Sequence, residues 1–212
     1  MTGSRMRDIC ARGPVVPVLT VDDSARAEPL ARALVEGGLR VIEVTLRTAA
    51  AIEAIGIIAR QVPDAIVGAG TLRTPGDVSR AAAAGARFGV SPGLTPALLA
   101  RAKALDLPFL PGVATPSEAM AAAEHGYRLL KFFPAESCGG AAALSAWASP
   151  LAGLEFCPTG GIGPHNASDY LRLANVTCIG GSWVAPPARI RAGDWSGIRK
   201  SAAAAAALGV AR

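Results

Sequence analysis

Eight short apolar runs recur along this chain, each followed by a segment of helical spacing. They read "VVPVLT" (15–20), "RVIEVTL" (40–46), "AIVGAG" (65–70), "RFGVS" (87–91), "PFLPG" (108–112), "RLLKFF" (128–133), "LEFCPTG" (154–160) and "VTCIGG" (176–181). Between them lie stretches such as "SARAEPLARALVEGG" and "AAIEAIGIIARQV". This alternation restricts the fold more than any other feature, because parallel strands need crossovers and a helix is the usual one. Eight strand–helix units in 212 residues predict a compact, single-domain (β/α)8 TIM barrel over residues 1–212, with 1–12 as an N-terminal extension or helix. The competing architecture is an open doubly wound sheet. It expects a "GxGxxG" turn after an early strand, which is missing, and the eight runs read as buried on both faces.

The helix starts agree with this reading. "RTPGDV", "LTPALL" and "ATPSEA" each place threonine before proline, at Thr74, Thr95 and Thr115. Threonine caps orphan N–H groups, and proline at the first helical position loses a donor that had no partner there. Thr115 and Glu118 have capping-box spacing, and Gly85 and Gly126 stand where two of these helices should stop.

Three lysines, Lys103, Lys131 and Lys200, stand among twenty-one basic residues; the rest are arginines. Lysine differs from arginine in that it sheds its proton when desolvated and then acts as an amine nucleophile. Lys131 lies inside the apolar run "RLLKFF", where Leu129, Lys131 and Phe133 share one face and Leu130 and Phe132 the other. A snorkelling lysine is the bland account and a Schiff-base nucleophile the chemical one. In "VIEVTLR" the same alternation groups Val41, Glu43, Thr45 and Arg47 against the wholly apolar Ile42, Val44 and Leu46. The apolar face suits the helices, so Glu43 and Arg47 point into the barrel, as a buried ion pair or as an active site. Buried pairs seldom repay desolvation unless something requires them, and barrel active sites form at C-terminal strand ends.

The last two runs end in "PTGGIG" (158–163) and "CIGGSW" (178–183). Barrels commonly bind phosphate with these two loops, where glycine lets the backbone approach an anion. The N–H groups of Gly160, Gly161, Gly181 and Ser182 are the candidate donors. Thr71 in "VGAGT" could offer its hydroxyl to a carboxylate. Pro92 in "VSPGLT" joins the candidate substrate-binding residues, although Ser91 and Pro92 also suit the turn itself.

Together, "VIEVTLRT", "VGAGT", "SPGLT", "KFFPAE", "CPTGGI" and "CIGGSW" resemble the 2-keto-3-deoxy-6-phosphogluconate (KDPG) aldolases, in order and spacing from residue 13 to residue 183. The resemblance implies a class I aldolase, yielding pyruvate and glyceraldehyde 3-phosphate through an imine, without cofactor or metal. It implies Lys131 as the imine-forming lysine and Glu43 as general acid/base. Thr159 would orient substrate and the proton relay, Arg47 and Thr71 would hold the carboxylate, and the two glycine loops would take the phosphate. A homotrimer is also implied. Arg73, Ser137, Cys138 and Gly163 depart from the family's commoner residues. Alternatives are a relative acting on the galactonate epimer or on 4-hydroxy-2-oxoglutarate, a phosphate-binding barrel isomerase or synthase without an imine, and a silent binding protein.

Other partners are not expected. The net charge of +5 is thinly spread, with no basic cluster interleaved with aromatics, which argues against nucleic acid. The apolar runs are too short or interrupted to span a bilayer. His125 and His165 lack partners at ligand spacing, so no metal is expected. Cys10, Cys138, Cys157 and Cys178 form no CxxC pair, and reduced thiols in a cytoplasmic protein are expected.

Overall fold

The computed structural model describes residues 2–209. The chain runs α1 (Thr2–Cys10), β1 (Val15–Leu19), α2 (Ala27–Glu36), β2 (Val41–Thr45), α3 (Ala51–Gln61), β3 (Ile66–Gly70), α4 (Pro75–Ala83) and β4 (Gly89–Val90). It continues α5 (Pro96–Ala104), β5 (Phe109–Leu110), β6 (Gly112–Val113), α6 (Pro116–Glu124), β7 (Leu129–Phe132) and α7 (Gly140–Trp147). It closes with β8 (Glu155–Pro158), α8 (Ala167–Leu171), β9 (Ile179–Gly181), α9 (Pro187–Ala192) and α10 (Trp195–Ala206). Every one of the eight apolar runs contains strand.

All the pairing between these strands is parallel. One curled sheet has the order β5-β4-β3-β2-β1-β9 and a second the order β6-β7-β8. The fifth run is divided between them, β5 pairing with β4 and β6 with β7. Pro111 sits at the division, where it has no N–H to give a ladder, although its carbonyl accepts from the Lys131 N–H at 2.9 Å. Single parallel bridges, Phe156 to Val176 and Thr159 to Gly180, join the β8 run to the β9 run.

The period-two reading divides the core correctly. Ile42, Val44, Leu130 and Phe132 pack outward with the helices in one large cluster. Val41 and Leu129 turn inward into a second cluster with Val16, Ile66, Phe88, Val90, Leu110, Cys157 and Cys178. Met6 and Cys10 of α1 belong to that inner cluster, both 1% exposed, so α1 plugs the end of the fold from which the strands start. Arg5 pairs with Asp106, and Arg7 with Glu155 at 2.7 Å, fastening the plug.

Thr74, Thr95 and Thr115 are the N-caps of α4, α5 and α6, each accepting from the N–H three residues on. Thr115–Glu118 forms a capping box, and so does Thr74–Asp77, whose aspartate the sequence pattern did not single out. Gly85 and Gly126 follow α4 and α6 with φ of 96° and 87°, the left-handed turn that stops a helix.

Candidate active site

Glu43 is the middle residue of β2 and Lys131 the third of β7, and inward rotation carries both into the space above the inner cluster. Lys131 Nζ donates to Glu43 Oε1 at 3.3 Å, and the two side chains are 7% and 4% exposed. The Lys131 ammonium position also lies 5.2 Å from the centroid of Phe133, its neighbour on that face. A charge pair so far out of water requires a compensating role, since burial costs each ion several kcal/mol.

Room for the pair is made by glycine. A Cβ on Gly70 would land on the Glu43 carboxylate, and one on Gly180 would land on the Thr159 hydroxyl. These are close approaches that only a side-chain-free residue permits. Thr159, immediately after β8, is buried and donates to the Cys157 carbonyl at 3.4 Å.

At the C-terminal ends of β2 and β3, Arg47 Nε donates to Thr71 Oγ1 at 3.3 Å. Thr71 has φ of 60°, a left-handed conformation that a β-branched residue adopts only under strain. Arg47 is exposed and Thr71 half-buried, both just beyond the C-terminal ends of their strands. The structure therefore gathers Glu43, Lys131, Arg47 and Thr71 at one end of the fold.

Gly160 and Gly161 form a turn with φ of 106° and 76°, next to the Thr159–Gly180 bridge that leads to Gly181, the last residue of β9, and Ser182 after it. Ser182 and Gly161 are exposed and Gly181 is buried. Pro92 is exposed on the loop after β4, whose backbone lies against Gly112. Ser91 is fully buried, and its hydroxyl has no hydrogen-bond partner. Gly163 donates its N–H to Asn166 Oδ1 at 2.9 Å, and the Arg73 N–H is held by Asp77.

Three of the four cysteines meet, which no spacing motif indicated. Cys10, Cys157 and Cys178 lie in the inner cluster, with Cys157 directly beside Lys131 in the β7–β8 register. The neighbouring Cys10 and Cys157 thiols, together with burial, push the Cys178 thiol well up from its ordinary range. Among the described residues no group of three or more His, Cys, Asp or Glu is arranged to hold a metal ion. No described helix is long and apolar enough to cross a membrane. A cavity of about 740 Å³ lies at the opposite end, lined by Arg7, Arg12, Glu155 and Thr177, far from this chemistry.

Residues 6–201 match the aldolase family described as KDPG and KHG aldolase. A KHG/KDPG aldolase of Escherichia coli strain K12 is 51% identical over 194 residues, spanning 92% of this chain and 91% of the relative. A KDPG aldolase from Legionella pneumophila, solved with pyruvate captured at low pH as a covalent carbinolamine intermediate, has a TM-score of 0.93 at 43% identity, covering 95% of this chain and 98% of that one. The 2-keto-3-deoxy-6-phosphogluconate aldolase of Zymomonas mobilis ZM4, solved with 3-phosphoglycerate, has a TM-score of 0.94 at 44% identity, covering 99% and 98%.

Proposed function

The chain belongs to the KDPG and KHG aldolase family, and we propose that it is a class I aldolase cleaving 2-keto-3-deoxy-6-phosphogluconate to pyruvate and glyceraldehyde 3-phosphate. The buried contact between Lys131 Nζ and Glu43 Oε1, 3.3 Å, carries this reading. It puts an amine nucleophile and a proton carrier in reach of one carbonyl carbon.

Lys131 first passes a proton to the Glu43 carboxylate it touches, and the freed amine adds to the C2 ketone, giving a carbinolamine. Glu43 delivers a proton to the departing hydroxyl, and water leaves as the imine forms. Glu43, through a water, then takes the C4 hydroxyl proton. As the C4–O bond becomes a carbonyl, the C3–C4 pair moves into the protonated imine and leaves an enamine. Reprotonation at C3 and hydrolysis free pyruvate and the lysine. Arg47 grips the carboxylate bidentately and, with the Thr71 hydroxyl beside it, orients C2 toward Lys131. Thr159, buried at the top of β8, orients substrate and the proton relay. The N–H groups of Gly160, Gly161, Gly181 and Ser182 receive the phosphate, and Pro92 borders the substrate. The carbinolamine in the Legionella relative and the 3-phosphoglycerate in the Zymomonas relative support this assignment.

The E. coli relative's double name favours a second substrate, 4-hydroxy-2-oxoglutarate, cleaved through the same imine without the phosphate contacts. The two sheets are read as one closed (β/α)8 barrel formed by the whole chain, 1–212. Inner-cluster residues from all eight runs and the bridges between the β8 and β9 runs support that closure. A cytoplasmic homotrimer, working with the phosphorylated keto acid and pyruvate and without a cofactor, completes the reading. Light scattering after size exclusion tests the assembly.

Borohydride reduction with pyruvate, followed by peptide mass spectrometry, tests the chemistry. A reductant-dependent pyruvate adduct on the Lys131 peptide is expected. No adduct on folded, phosphate-binding protein would favour a barrel isomerase or a silent relative, and an adduct on Lys103 or Lys200 would refute the assignment of the nucleophile.

A further inference from the structure

The glycine turn at 159–161 is held from behind. The N–H groups of Ala135 and Glu136 donate to the carbonyls of Thr159 and Gly160 at 2.9 and 3.1 Å. Across a planar trans peptide, a carbonyl and the following N–H point in opposite directions. With both carbonyls tied to residues 135–136, the N–H groups of Gly160 and Gly161 are turned away from that segment. Asn166 secures the next step, its amide donating to the Gly161 carbonyl at 3.2 Å.

The 135–136 segment has its own anchor. The Glu136 side chain lies against Gly161, where an added Cβ would fall 2.6 Å from Glu136 Cγ. Glu136 Oε1 accepts from the hydroxyl of Tyr170 in α8. Tyr170 is 0% exposed, so its rigid ring delivers the hydroxyl to one place. Burial first, then the hydrogen bond to Glu136 and the charges of Glu136 and Asp169, hold this phenol far above its ordinary range. It therefore remains a donor. Glu136 is exposed, and a carboxylate beside a phosphate repels it, so its presence there calls for a separate purpose.

We propose that Tyr170 and Glu136 are positioning residues for the substrate's phosphate, fixing the 135–136 backbone and through it the direction of the Gly160 and Gly161 N–H donors. This rests on reading that turn as phosphate-binding. The test compares wild type with Tyr170→Phe, Glu136→Ala and Glu136→Gln. Three quantities are read: the inhibition constant of inorganic phosphate, KM for 2-keto-3-deoxy-6-phosphogluconate, and the half-saturating pyruvate for borohydride inactivation.

Tyr170→Phe and Glu136→Ala are expected to weaken phosphate inhibition and raise KM about tenfold, the loss of one charge-assisted hydrogen bond. The pyruvate value should stay at wild type in both. Glu136→Gln, which keeps an acceptor oxygen for Tyr170 and loses the repelling charge, should bind phosphate at least as tightly as wild type. Tighter phosphate inhibition in both Glu136 variants would overturn the proposal, because the carboxylate would then act only by repulsion. Equal weakening toward pyruvate would also overturn it, by showing a general structural role. If wild type is inhibited by phosphate and the variants do not differ from it, the positioning role alone falls. If wild type itself ignores phosphate, the phosphate-binding turn falls and the positioning role goes with it.

Discussion

Lys131 and Glu43, 88 positions apart in the chain, meet at 3.3 Å across the inside of the fold with both side chains buried. The pairing separates two properties of Lys131, its charge and its nucleophilic amine. Lys131→Arg keeps a cation for Glu43 and removes the nucleophile, so turnover should fall by about 10³-fold or more while the fold persists. Lys131→Met leaves the Glu43 carboxylate buried without a partner, which should cost about 3–5 kcal/mol as well. A coupled pyruvate assay and urea unfolding check the two losses separately. An active Lys131→Arg enzyme would exclude the imine.

Glu43 is placed by what Gly70 lacks. An added methyl at Gly70 meets the Glu43 carboxylate, so Gly70→Ala must displace that carboxylate from Lys131. A displacement of about 1 Å at a reacting group costs roughly 10²-fold in rate. The expected result is a kcat reduced by about that factor, with the pyruvate adduct still formed on Lys131. Glu43→Gln, which keeps the position and loses the proton carrier, should lower kcat by about 10²–10⁴-fold. Were Gly70→Ala to turn over at the wild-type rate, the carboxylate's position would be irrelevant to the chemistry.

The inward direction of Glu43, Thr45 and Lys131 was legible because a strand's period of two is rigid and one face of each run is wholly apolar. Thr74, Thr95 and Thr115 were legible as caps because capping acts within four residues. What escaped the sequence depends on distant segments meeting. The Cys10, Cys157 and Cys178 contact joins α1 to β8 and to the residue just before β9. The Tyr170–Glu136 bond spans 34 positions, and the Arg7–Glu155 bond 148. Nor does spacing reveal that Pro111 divides a strand, or that Thr71 is held at positive φ. A threonine in a glycine-rich turn looks like any other until its neighbours fix its backbone.

The plug helix should respond to acid through Glu155. Partial burial opposes the Glu155 charge, but hydrogen bonds from Arg7 and Thr177 and the Arg7 charge outweigh it and hold the carboxyl below its ordinary range. A glutamate depressed in the folded state takes up protons more readily when unfolded. It therefore stabilises the fold above its unfolded pKa of about 4.3, and that contribution disappears as pH falls through the folded value. Glu155→Gln should lose about 1 kcal/mol at pH 7, a modest figure because the Arg7 side chain is 55% exposed. The gap to wild type should close between about pH 5 and pH 3. Urea midpoints across that range check it, and a gap independent of pH would mean the carboxyl's charge contributes nothing.

Strain and function should come apart at Thr71. Its φ of 60° costs a β-branched residue about 1–3 kcal/mol, and its hydroxyl accepts from Arg47 where the substrate carboxylate is to be held. Thr71→Gly releases the strain, although glycine's greater freedom in the unfolded chain returns about 0.5–1 kcal/mol of it. The net expectation is a fold more stable by about 1 kcal/mol with a KM for the keto acid raised about tenfold. Thr71→Val keeps the branched shape and the strain but loses the hydroxyl. It should raise KM similarly without any gain in Tm. If Thr71→Gly proved less stable than wild type, the surrounding contacts of the threonine would outweigh its backbone strain. If both variants kept wild-type KM, the hydroxyl would have no part in holding the carboxylate, and Arg47 would do so alone.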